Sequence, residues 1–126
     1  MPVRAAPVVW IRYLQVVSAA TLAFGLVMVF APGLTEWLFG QLLYGQGSFP
    51  ESFSDDAMDY VAQAHSVIGA VTVGWSLLVL WVVTVMLSRA VPGAWAGLVL
   101  SLTVWFVLDS VASIVRGFPA NIVLNM

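Results

Sequence analysis

Three long apolar stretches, residues 8–31, 60–87 and 94–115, are separated by a polar connection at 32–59 and a short turn at 88–93. A run of about 20 apolar residues is what a helix needs to cross the hydrocarbon core of a bilayer. The pattern predicts three transmembrane helices in one all-α membrane domain covering residues 1–126, with spans at 8–31, 60–87 and 94–115. A soluble globule of this length has too little interior to hide three such segments.

The long connection carries structure of its own. Residues 34–44 put Leu34, Trp37, Leu38 and Leu42 near one face and Thr35, Glu36 and Gln41 elsewhere, the pattern of a short amphipathic helix lying in the membrane interface. Residues 45–50, rich in Gly, Ser and Pro, read as a turn region. Ser54, Asp55 and Asp56 then suit the start of the second span, where a side-chain oxygen caps orphan N–H groups and negative charge meets the positive helix end. Capping and solvation account for this acidic cluster; a cation site in an outer vestibule is the competing reading.

Small residues mark helix contacts in a membrane, because they let backbones approach closely. Ala62, Ser66, Ala70 and Gly74 recur every fourth residue on the second span and predict a packing stripe, and His65, Gly69, Thr72 and Ser76 form a neighbouring one. Both faces are expected to meet protein. Val71 and Leu78, on the other side, suit lipid.

Composition and charge fix the class and predict the orientation. Hydrophobic residues make up 62% of the 126-residue chain and charged residues 8%, against about 25% charged in a soluble domain. Arg4, Arg12 and Arg89 fall on one side of the predicted membrane and Arg116 on the other, so the positive-inside rule places the N-terminus and the Arg89 turn in the cytoplasm and the C-terminus outside. Glu36, Glu51, Asp55, Asp56 and Asp59 all lie in the outward-facing connection. Arg12 and Gln15 interrupt what would be a signal-peptide core, so the first span is expected to stay in the mature chain. With no cysteine there is no disulfide, thiol nucleophile or thiolate metal site.

Asp109 is the residue that an apolar span must explain, since intramembrane carboxylates are rare unless partnered or functional. Asp109, Ser113 and Arg116 follow i, i+4, i+7 spacing and share one helix face. His65 and Asp109 each lie about 9 Å below the outer boundary at about 1.5 Å per residue. Antiparallel packing of the second and third spans would bring them together, predicting a polar intramembrane cluster of His65, Asp109, Ser113 and Arg116. That cluster reads either as a structural lock or as a site handling protons, ions or a ligand.

Other chemistry is poorly represented. The chain has no H-E-x-x-H, G-x-S-x-G or P-loop signature and no lysine for a Schiff base, so no catalytic residue and no metal site are assigned. One histidine cannot supply paired axial haem ligands, and no cofactor is named by the sequence. Four dispersed arginines at a net charge of −2 argue against nucleic acid. Trp10, Trp95 and Trp37 fall at predicted boundaries as anchors, whereas Trp75, Trp81 and Trp105 lie deeper, where packing competes with a pigment, quinone or lipid pocket.

Trp105-Phe106, Asp109-Ser110, Ser113, Gly117, Asn121 and Asn125, together with Ile68-Gly69-Ala70 and Gly74-Trp75, resemble a group of small bacterial polytopic integral-membrane proteins of uncharacterised activity. The resemblance covers residues 60–125 and implies a helical membrane protein without an activity. It also implies a further apolar helix, so part of a four-helix bundle completed by a partner or a missing segment is the alternative architecture. Two functions follow from these readings. The first is a structural or accessory subunit of a homo-oligomeric or larger membrane complex, with the bilayer and other transmembrane helices as partners. The second is a small channel or transporter built around the His-Asp-Arg cluster.

Overall fold

A computed structural model describes residues 6–115, 117 and 120–124. Helices α1 (Val8–Phe30), α2 (Pro32–Tyr44), α3 (Asp55–Trp81), α4 (Ala94–Val115) and α5 (Ala120–Leu124) follow one another, with a π-helical segment, Val82–Leu87, continuing α3. Three helices, Val8–Phe30, Asp55–Leu87 and Ala94–Val115, are long and apolar enough to cross a membrane. This is the all-α, multi-pass architecture expected from the three apolar runs.

Local chemistry sets the boundaries. Pro32 stands at the start of α2, where a missing N–H costs nothing. Gly45 ends that helix at φ 69°, a left-handed conformation that glycine adopts without a Cβ clash, and its N–H donates to Gln41 O. The α3 helix begins at Asp55, ahead of the apolar run, because Ser54 Oγ accepts from Ala57 N–H at 3.3 Å and Asp55 and Asp56 occupy the first turn.

The centre of the molecule is a close antiparallel pair, α1 against α3. A Cβ built on Gly69 would stand 2.7 Å from Gly25 O and 2.7 Å from Met28 Cβ, and one on Gly25 would stand 2.9 Å from Gly69 O. The two backbones therefore touch where neither residue has a side chain. Two turns away along each helix, Ser18 and Ser76 are both buried on this seam. Further on, Gln15 Nε2 donates to Thr84 Oγ1 at 3.1 Å across the pair. Beyond it Val83, Leu87, Ala94 and Leu98 form the buried core, flanked by Ile11 and Leu14.

Rotation of α3 is where the structure adds most to the packing expectation. Gly69 and Ser76, from the second small stripe, face α1, while Ala70 and Gly74 are exposed and a Cβ on Gly74 would meet nothing within 4 Å. Ala62 and Ser66 are half-buried. Helix α2 is turned in a similarly informative way. Thr35 and Gly40 are its buried residues, whereas Leu34, Trp37 and Leu38 are exposed. Thr35 and Gly40 thus face the bundle, while Leu34, Trp37 and Leu38 point away from it.

Helix α4 is anchored at its ends. Its buried residues are Ala94 and Leu98 beside the π-helical segment and Ser113 beside α5. Leu100, Val104, Val107 and Leu108 between them are exposed. At the 88–93 turn, Ala90 adopts φ 53°, a left-handed conformation that costs an L-residue about 1–2 kcal/mol. Ala90→Gly should raise the midpoint of thermal unfolding in detergent, gaining roughly 0.5–1 kcal/mol after the larger backbone entropy of glycine is subtracted; an unchanged or lower midpoint would contradict the strain.

Candidate functional site

The end of the bundle where α1 passes into α2 and α3 begins is a cap of aromatic side chains. The imidazole of His65 stacks on Phe39 of α2 at 4.5 Å between centroids and 20° between planes, with Phe49 at 6.5 Å. Tyr44, Phe49 and Phe53 pack edge to face at 5.5–6.4 Å around it. The Nδ1 atom of His65 is buried and has no hydrogen-bond partner. His65 precedes Gly69 by one helical turn, so it shares the face that α3 presents to α1 and α2.

Asp109 belongs to a different group. Its Oδ2 accepts from Asn121 Nδ2 at 2.8 Å, and the same amide nitrogen donates to Ser113 Oγ at 2.9 Å. Helix α5 thus brings its one amide side chain back onto α4 and ties the end of the chain to the cap. No hydrogen bond or ring contact among the described residues joins His65 to Asp109. Of the expected cluster, Asp109 and Ser113 come together through Asn121, His65 lies among the aromatic rings, and Arg116 falls outside the described residues. Asn121 is the polar group that the apolar runs do not reveal. Its signal was an amide in a short apolar tail, twelve residues after the carboxylate that it serves.

A crevice opens between the later part of α3, with its π-helical continuation, and the start of α4. It measures about 430 Å³ and is lined by Trp75, Leu78 and Val82 on one side and Gly93, Gly97 and Ser101 on the other. Trp75, at one end of this lining, packs against Trp105 of α4 with the rings 5.8 Å apart. Gly93, Gly97 and Ser101 recur every fourth residue, and a Cβ on Gly97 would meet nothing within 4 Å. The α4 wall is therefore a track of small residues that faces open space. Among the described residues no group of three or more His, Asp or Glu is placed to hold a metal ion. No family model, curated protein or solved structure matches this chain.

Proposed function

We propose that the protein is a structural or accessory subunit that assembles with further transmembrane helices, its cap facing outward and its N-terminus in the cytoplasm. The carrying observation is the small-residue track of Gly93 in the turn and Gly97 and Ser101 on α4, which lines an open crevice and stays exposed. Such tracks support close helix crossing in a membrane. A second copy of the chain is the natural occupant, because a track of this kind is self-complementary about a two-fold axis. The bias of three arginines to one supports the orientation.

The channel or transporter reading draws on Asp109. That carboxylate is held by Asn121 from the same cap, an arrangement that suits a lock between α4 and α5. Gly97→Leu separates assembly from folding, since a Cβ at this position meets nothing within 4 Å and the side chain beyond it extends into an open crevice. Native mass spectrometry from nanodiscs should give a dimer or larger assembly for the natural chain and a monomer for Gly97→Leu, with the thermal midpoint of the monomeric fold unchanged. A natural chain that is monomeric throughout would overturn the proposal.

A further inference from the structure

We propose that the cap binds a small organic cation of the alkylammonium class in a cavity between α2 and the 45–53 loop. The cavity measures about 260 Å³, is open on one side, and is lined by Glu36, Trp37, Phe49, Glu51, Phe53 and Met58 among others. No basic side chain lines it. Three aromatic rings, a thioether and two carboxylates around one small space match a weakly hydrated cation, which is attracted to ring faces and needs no hydrogen-bond acceptor of its own.

Size and donor set decide the ligand class. Pockets for drug-sized molecules run to about 300–1,000 Å³, and this one lies just below that range, with room for a trimethylammonium head. A calcium ion takes six to eight oxygen ligands, and three of the side chains lining this cavity are aromatic rings that offer it none. The aromatic walls would be idle around an inorganic ion and are the natural partners of an organic one.

The walls are also held in place before any ligand arrives. A Cβ on Gly47 would stand 2.6 Å from Trp37 Nε1, so the loop lies directly on the indole. A Cβ on Gly40 would stand 2.9 Å from both Gln46 O and Ser48 N, so the same loop is seated on the backbone of α2. Phe49 and Phe53 meet edge to face at 5.5 Å, and both pack on Tyr44. Two close glycine contacts and a ring cluster thus fix a loop that has no helix of its own. Pre-organisation of this kind reduces the ordering cost of binding.

One ligand chemistry has two sources here, a free amine in solution and the choline headgroup of a lipid at the interface. The test uses the full chain in phosphatidylglycerol nanodiscs, titrated with choline and followed by saturation-transfer NMR of the N-methyl protons. Its neutral isostere, 3,3-dimethyl-1-butanol, is the control. Saturable choline binding in the millimolar range is expected. The isostere should bind at least about 10-fold more weakly, and Glu36→Gln or Glu51→Gln should each weaken choline by about 1.5- to 5-fold. Glu51 is exposed, so Glu51→Gln reads the charge without disturbing the fold.

Repeating the titration in phosphatidylcholine nanodiscs separates the sources. An apparent Kd raised about 10-fold or more there identifies the lipid headgroup as the occupant, and an unchanged Kd identifies a free amine. No saturable binding up to about 100 mM in phosphatidylglycerol discs, or equal binding of choline and its isostere, would overturn the proposal.

Discussion

Gly69→Ala should be among the most destabilising single-methyl additions in this chain. The added Cβ would lie 2.7 Å from a backbone oxygen of Gly25 and 2.7 Å from Met28 Cβ. Neither is the far end of a flexible side chain, so α1 and α3 must separate to admit it. Overpacking of this kind costs about 1–3 kcal/mol, and Gly69→Leu should cost more. Gly74→Ala, five residues along the same helix, meets open space. It should be neutral or stabilising by up to about 1 kcal/mol through helix propensity. Equilibrium unfolding of the two variants in mixed detergent micelles would compare them directly. Equal effects would mean that α1 and α3 do not cross at Gly25 and Gly69.

Asn121→Ala should be the second costly change, at about 1–2 kcal/mol, because it removes the amide that serves both Asp109 and Ser113. Its cost should fall once Asp109 is already Asn, since residues in one hydrogen-bond network couple by about 0.5–3 kcal/mol. His65→Ala supplies the contrast. His65 rests on Phe39 and Phe49, and among the described residues no hydrogen bond or ring contact links it to that network. Its effect should add to that of Asp109→Asn within about 0.3–0.5 kcal/mol. Coupling between His65 and Asp109 beyond this range would show that the two do meet.

The contrast also marks what sequence can carry in a membrane helix. Span positions were legible because length and apolarity are set by bilayer thickness. The Ser54 cap was legible because cap chemistry is local. Helix rotation was not, because lipid and protein interior are both apolar and no polar face points the way. Small residues are the remaining signal, and α3 carries two stripes of them. The structure seats Gly69 and Ser76 against α1 and leaves Ala70 and Gly74 open. His65 turned with the first pair, toward α2 and away from Asp109. The small-residue track on α4 was hidden for a related reason, since its first glycine sits in a turn and reads as punctuation. Helix α5 is too short to leave a periodic trace. The 45–50 turn region reads from its Gly, Ser and Pro, but the cavity between Trp37 and the 45–53 loop depends on side chains meeting across it.

The Gly25–Gly69 crossing also sets a clock on biosynthesis. At about 5–20 residues per second, Gly69 is made about 2–9 s after Gly25, so α1 waits in the bilayer before the helix it packs against exists. Two of its polar side chains are prepared for that interval. Ser18 Oγ donates to Leu14 O and Thr21 Oγ1 to Val17 O, each within the same helix, and neither needs a neighbour to be satisfied in lipid. Gln15 does, and its partner Thr84 is made later still. The nascent first helix is thus at ease with lipid along most of its length and retains one amide near its start that only the finished hairpin satisfies.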